Sequence, residues 1–422
     1  MENYPTTMRE AKEYKYNFWS DKPVTPLKEY LSGKDGSIND NFGKDKLYEQ
    51  SEPLDMKPFE WKKIQLSDMN DDDDFFSKTV EFINKWNYID IREKFRFHYT
   101  SDYVKWSLGN EGVLMVLHYN GEPVATLGIE TLKMTVFTHS DTFKVIKFLC
   151  IHPKYRGNDD SRGKGKRTLV HAVLDEATRD LYNQNSKHGM FITGKFVPTP
   201  VTSIRNYNRP LNYNKLYKLG FTIIKGSNES LHESFKVKGS PLKYYLPASQ
   251  DDVDRMYEVY TDYRQMFNIS VDYTLTQFKD LLFAPGVRTI ALNSTKTGKL
   301  EDFVSYYVGD ISVEKSDDKI RYAKLLMYTC SREDTNVMIS NLLKYIETKE
   351  KEGVDVLFCD DTNQNHNFVL SSPKFPDEES DEEDYKKAYD HMFMRDSRKY
   401  FMNLFNFRCE RVKPFQVLYP VH

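Results

Sequence analysis

The sequence has little cysteine, and what it has is not arranged for joint work. Cys150, Cys330, Cys359 and Cys409 are scattered over 422 residues, so neither a Cys-x-x-Cys pair nor a disulfide framework can be read from them. Cys150 and Cys359 lie in apolar runs, where a thiol packs as a small hydrophobe. His-Glu-x-x-His and Gly-x-Ser-x-Gly are missing, which leaves zinc hydrolysis and a serine nucleophile without support; no metal is expected. No Walker loop is present, and no glycine fingerprint follows a strand directly. No apolar run approaches the length of a membrane span, and no signal-peptide core stands near the start. These gaps point to a cytoplasmic protein with no membrane span. A dominant charge is lacking too. Sixty Lys and Arg stand against 63 Asp and Glu, a net charge of −3, so a nucleic-acid partner is not expected and any basic site must be local.

What is present is enough chain for two domains or one double-length fold, at 39% hydrophobic and 29% charged residues. One stretch organises it. Phe143 to Ile151 is an apolar, β-branched and aromatic run that reads as a largely buried strand. Leu169, Val170, Val173, Leu174 and Ala177 recur at helical spacing. Between them lies a loop rich in Gly, Arg and Lys. A strand, a basic glycine loop and a helix N-terminus make an anion site, because free N–H groups and the helix dipole both favour phosphate. A solvated basic turn has the same composition and stays open at this point. The pattern is similar to the pyrophosphate loop of the acyl-CoA N-acyltransferase (GNAT) superfamily.

Residues 1–57 read as an arm and linker with one aromatic cluster, Tyr14 to Trp19, which needs a surface to lie on. Asp71 to Asp74 precede a helix expected over 75–86, where carboxylates suit the N-terminus. Asn120-Gly121 is a strong hairpin signal. Strands are expected at 113–117, 124–129, 132–137 and 144–151, and later at 289–292, 303–307, 320–328 and 353–358. Helices are expected at 103–108, 213–219, 251–263, 276–282 and 337–349. Seven acidic residues in the eight from Asp377 to Asp384 suggest a disordered insertion near 376–390. The apolar tail from Pro414 to Val421 should be tied down.

With these segments in place, the chain resembles the eukaryotic N-myristoyltransferases. Phe148-Leu149-Cys150-Ile151-His152 looks like that family's Asn-Phe-Leu-Cys-x-His signature. Phe95-Arg96-Phe97 with Tyr99 matches its Phe-Arg-Phe-x-Tyr stretch, and Tyr16, Phe18, Trp19, Pro23 and Val24 match its N-terminal block. Pro198, Pro200, Arg205, Arg209, Leu211-Asn212 and Lys215-Leu216 resemble the next block, and Asp302-Phe303 with Ser305 and Tyr307 a later strand. The sequence departs from the family at Lys147 for Asn, Ile192 for Thr and Asn208 for His. The family's glycine-rich block gives way to Lys374-Phe375 and the acidic insertion.

The resemblance implies an α/β (α+β) fold of two GNAT-like halves, an acyl-CoA half over 58–246 and a peptide half over 247–422. It implies an enzyme that moves myristate from myristoyl-CoA to the N-terminal glycine amine of proteins. Myristoyl-CoA is then a substrate, no prosthetic group is needed, and a monomer is expected. The oxyanion hole falls on the backbone N–H groups of Phe148 and Leu149, whose side chains are expected in the core. The base is the carboxylate of His422. The acyl donor is assigned to Tyr16, Phe18, Trp19, Arg156, Gly157, Lys164, Lys166, Arg167, Thr168 and Leu169. The peptide is assigned to Phe95, Phe97, Tyr99, Thr193, Tyr207, Asn208 and Asp361. Lys147 is expected not to abolish activity, because the oxyanion donors are backbone groups on the next two residues, and Lys147→Asn is expected to leave the fold intact. Two alternatives remain: an inactive descendant that binds acyl-CoA or Gly-starting peptides, and a GNAT enzyme using another acyl-CoA.

Overall fold

A computed structural model describes residues 5–16, 18–20, 22–26, 35–40, 52–69, 73–86, 94–156, 168–184, 186–222, 233, 235–237, 245–294, 296–331, 335–369 and 392–420. The acidic insertion therefore lies outside the described residues, as do Gly157, Lys164, Lys166, Arg167 and His422. Two compact units divide the chain. The first comprises Met1–Ile89, Tyr99–Ser203 and Tyr400–Val412; the second comprises Asp90–His98, Ile204–Lys399 and Lys413–His422. This differs from a cut between 246 and 247, and strand pairing is the reason. Residues 206–210 pair with Val356–Asp360 of the second unit. Residues 401–405 pair with Gly189 to Thr193 of the first. Such partners are distant in sequence, so no linker composition marks the boundary.

In the first unit, Glu60–Gln65, Val113–Tyr119, Glu122–Val136 and His139–Ile151 pair antiparallel in that order. His188–Thr193 joins the last of these in parallel. Asn120 and Gly121 turn the first hairpin at φ of 52° and 81°, the left-handed pair that a two-residue type I′ turn requires. The strands expected at 124–129 and 132–137 are one strand of 15 residues. Glu130 and Thr131 carry no turn chemistry and stay in register opposite Val145 and Lys144. The Asp74–Trp86 helix begins where Asp73 accepts a hydrogen bond from the Phe76 N–H. The Leu169–Asn183 helix begins at Thr168, whose hydroxyl accepts from the His171 N–H. Leu169 and Val173 are buried with Leu117, Leu127 and Ile129 of the sheet. Each such side chain contributes about 1.5–3 kcal/mol, which is why the apolar stripe predicted the helix.

In the second unit, Tyr245–Pro247, Val287–Asn293, Leu300–Val313 and Lys319–Tyr328 pair antiparallel in turn. Val356–Asp360 continues in parallel. The predicted helices are found at Tyr213–Lys218, Val253–Tyr263, Leu275–Leu282 and Thr335–Lys349. Phe95–His98 pairs with the far end of Leu300–Val313. The tail is held as its composition suggested: Val417 and Leu418 run parallel to Ile269 and Ser270, a strand the sequence reading missed. Both units have mixed sheets carrying helices, the α/β (α+β) class. Among the described residues no helix is long and apolar enough to cross a membrane, and no group of His, Cys, Asp and Glu is placed to hold a metal.

Candidate active site

The strand His139–Ile151 carries an irregularity at the signature residues. Gly128 pairs with Lys147 and Thr126 with Cys150, so Leu127 alone faces both Phe148 and Leu149. This is a β-bulge, which takes an extra residue out of the ladder and re-aims its groups. Phe148 holds a φ of 49°, a left-handed conformation that is uncommon for a bulky side chain and costs about 1–3 kcal/mol. Its carbonyl accepts from the Thr126 hydroxyl at 2.9 Å. Gly128 makes room below: a Cβ there would lie 2.7 Å from Leu108 and 3.2 Å from the Phe148 ring. The expectation that both signature side chains are core is corrected here. Leu149 is 38% exposed, and Phe148 is only partly buried, because the bulge breaks the alternation of faces. Phe148 packs edge-on to Tyr99, which stacks on Tyr103 with centroids 5.0 Å apart. Asn84 holds Tyr99 in place, accepting from its N–H and donating to its carbonyl.

Lys147 is paired beneath the bulge. Its ammonium lies 2.8 Å from Glu130 Oε2 and donates to the Ser107 carbonyl at 2.6 Å, in the last turn of the Ser101–Leu108 helix. Both side chains are about nine-tenths buried. Burial pushes the Lys147 pKa down and the Glu130 pKa up, each against the pull of its partner. A substitution that removes the cation therefore strands a buried carboxylate, so Lys147→Asn carries a stability cost that the sequence did not show.

The aromatic arm lies on the first unit. Trp19 is buried and stacks on Phe191; Phe18 stacks on His171 with centroids 4.2 Å apart, in the first turn of the Leu169–Asn183 helix. Tyr16 donates to the Phe196 carbonyl, and burial raises its pKa. Lys22 pairs with buried Asp175 at 2.6 Å. Phe18 thus lies against the first turn of that helix, and Tyr16, Phe18 and Trp19 share one apolar cluster with Leu174. Arg156 is placed otherwise: its guanidinium donates to the carbonyls of Ile151 and Trp86, closing the end of the Asp74–Trp86 helix. Cys150 is buried and its pKa pushed up to about 12, as for a core thiol.

The assigned peptide residues divide between the units. Tyr99 and Thr193 belong to the first, where Thr193 ends its strand opposite Phe401 and accepts from the Lys195 N–H. Phe95 and Phe97 belong to the second. Phe95 is buried against Phe221, whereas Phe97 is partly buried and meets Tyr322 and Phe358 at 5.2 and 6.0 Å. Asn208 pairs with Phe358 and Tyr207 with Cys359. Tyr207 is core, its hydroxyl pushed up to about 12 by burial. Asp361 follows that strand; its Oδ1 accepts from the Arg205 N–H, and burial raises its pKa to about 7. Sequence reasoning missed Gly128, Glu130 and Tyr103. Only Gly128 left a signal, since a glycine inside an apolar strand marks a close approach.

The fold is that of Saccharomyces cerevisiae N-myristoyltransferase, solved with bound myristoyl-CoA. The TM-score is 0.77 at 19% identity, over 94% of each chain. Among curated relatives, the glycylpeptide N-tetradecanoyltransferase of Candida albicans is 27% identical over 403 residues, 88% of this chain and 83% of that protein. A probable glycylpeptide N-tetradecanoyltransferase of Caenorhabditis elegans is 24% identical over 99% of this chain and 88% of its own length. In class the protein is an acyltransferase of α/β fold. The family descriptions that match are "Myristoyl-CoA:protein N-myristoyltransferase, N-terminal domain" over residues 37–204 and its C-terminal domain over residues 227–385. The chain belongs to the N-myristoyltransferase family.

Proposed function

We propose that this chain transfers myristate from myristoyl-CoA to the N-terminal glycine amine of polypeptides, in the cytosol and as a monomer. The observation that carries the reading is the bulge at Phe148 and Leu149, in a chain that matches both domains of the family. Attack of a neutral amine on the thioester carbonyl gives a tetrahedral oxyanion. N–H groups fixed by a strained bulge need no reorganisation when that charge develops, and one such donor is worth about 10²–10³ in rate. The C–S bond then breaks and the CoA thiol leaves. The carboxylate of His422 takes the proton whose loss turns the substrate ammonium into that neutral amine, and the proton the nitrogen then loses goes to the departing sulfur, so CoA leaves as the thiol. The first unit holds the donor: Gly157, Lys164, Lys166, Arg167, Thr168 and Leu169 at the pyrophosphate, with Tyr16, Phe18 and Trp19 over it. The carbonyl contacts of Arg156 favour holding the start of that loop rather than binding phosphate. The second unit holds the peptide through Phe97, Asn208 and Asp361.

The test is recombinant protein with a Gly-starting peptide and a panel of acyl-CoAs, read by mass spectrometry. A mass gain of one myristoyl group on the glycine amine is expected. Transfer of acetyl but not myristoyl would overturn the chain-length reading, and binding without transfer would favour an inactive descendant.

Asp361 makes the peptide preference depend on pH. With its pKa near 7, the carboxyl is mostly neutral at pH 6 and mostly charged at pH 8. A Lys-bearing peptide should therefore gain affinity over a Leu-bearing one as pH rises through that window. Asp361→Asn should remove the gain. For stability the sign is opposite. The folded pKa lies above the unfolded value, so the contribution is full at low pH and lost as pH rises toward 7. A peptide preference that is flat from pH 6 to 8 would remove Asp361 from the peptide site.

A further inference from the structure

Asn406 sits at the turn after the strand Met394–Phe405, fully buried, at a φ of 55°. Every polar group it has is used, and the partners come from three separate segments. Its N–H donates to the Pro23 carbonyl at 2.6 Å, in the stretch that follows the aromatic arm, and its carbonyl accepts from the Ile38 N–H. Oδ1 accepts from the Asn39 N–H at 2.8 Å. Nδ2 donates to the carbonyls of Asn39 and Lys187, each at 3.0 Å. Ser37 adds a further tie beside these, its Oγ lying 2.8 Å from Nε2 of buried His188. His188 Nδ1 is 3.0 Å from Asp141 Oδ2. Ser37, His188 and Asp141 have the order of a nucleophilic triad. The N–H groups after the serine, of Ile38 and Asn39, are already bound by Asn406, so they offer no oxyanion site there. The cluster holds backbone in place.

We propose that Asn406 is a positioning residue for the acyl donor, acting through the arm. The inference rests on the donor assignment under Proposed function. Few residues tolerate φ near 55°, and Asn is one of them. Its side chain is bound at both ends, which holds the turn and aims the backbone N–H at Pro23. Four residues before Pro23, Trp19 packs on Phe191, and Phe18 covers the first turn of the helix where the pyrophosphate is assigned. Loosening the turn frees the arm from that end. The chemical step, at Phe148 and Leu149, is untouched.

Two variants test this in the full chain. Asn406→Gly keeps the left-handed turn available and removes the side chain; Asn406→Asp keeps the shape and the acceptor but loses both Nδ2 donations. Losing two or three of these hydrogen bonds predicts a rise of about tenfold or more in the KM for myristoyl-CoA. With saturating donor, kcat should stay within about twofold. Hydrogen exchange should quicken at residues 18–26 and 38–39. A Ser37→Ala variant should quicken exchange at 36–39 with a smaller change in KM. Faster exchange with unchanged KM in both Asn406 variants would overturn the role in donor binding, and unchanged exchange would overturn the tie itself. A native protein that binds no myristoyl-CoA overturns the donor assignment and this role with it. Hydrogen exchange would still read the tie in that case. A general fall in kcat with KM unchanged would mark Asn406 as merely structural.

Discussion

Lys147→Met is expected to destabilise the first unit by about 3–5 kcal/mol, the cost of breaking a buried ion pair by removing one partner. Glu130 is nine-tenths buried and its pKa is already pushed up by desolvation. Without the ammonium 2.8 Å away, it remains as an uncompensated anion or takes up a proton. The Ser107 carbonyl loses a donor as well. Lys147→Asn should cost a similar amount, since an amide supplies no charge. The double variant Lys147→Met with Glu130→Leu should recover most of the loss, because an apolar pair of similar volume avoids both desolvation costs. Urea denaturation of the native protein, Lys147→Met, Glu130→Leu and the double variant gives the coupling energy directly. The deficit of the single variant should also shrink as pH falls. A carboxyl whose folded pKa lies above its unfolded value is relatively favoured at low pH. A single variant within about 1 kcal/mol of the native protein would show that the pair contributes nothing.

The same pair shows where the sequence stops being informative. Lys147 was visible as a departure from the family, yet its partner Glu130 was not. The link is a cross-strand neighbour relation, and the bulge shifts the register between those strands. Periodicity did predict the Leu169–Asn183 helix and the strand that ends at Ile151, because one face of each is buried and the pattern follows from that burial. Asn120-Gly121 predicted its turn, because few other residues accept both left-handed conformations. The bulge itself was not legible. Phe148 and Leu149 read as two more apolar residues in a strand, and only the resemblance marked them. The split of Phe95 and Phe97 from Tyr99 was hidden for a related reason: the boundary falls between the strand Phe95–His98 and the helix Ser101–Leu108, and nothing in the composition changes there. The resemblance assigned Arg156 to the pyrophosphate loop. Its contact with the Trp86 carbonyl, 70 residues back, is what assigns it to a helix end.

A short extension at the C-terminus, or deletion of Val421 and His422, is expected to abolish transfer while myristoyl-CoA binding survives. The reacting amine explains why. An N-terminal glycine has an α-amino pKa of about 7.7–8.0, so at neutral pH it is mostly an ammonium that cannot attack a thioester. A carboxylate with a pKa near about 3.5 is a weak base in water, but burial raises that value, and the incoming ammonium is drawn by opposite charge. A chain end suits the task because a last strand can run into a unit with no need to return. Val417 and Leu418 are paired with Ile269 and Ser270, and the Asn363 N–H donates to the Val417 carbonyl at 2.8 Å. Tyr419 and Pro420 are buried, so the last described residues still run inside the second unit. General-base catalysis is worth about 10²–10⁴-fold, which sets the size of the loss. His422→Leu separates the two possible bases. It keeps the carboxylate and should keep transfer; loss of transfer in that variant would assign the proton to the imidazole. The pH dependence of kcat should follow the same division, since an imidazole base titrates near 6.5 and a buried carboxylate does so according to its burial. Full activity in the extended protein would exclude the carboxylate of His422 as the base.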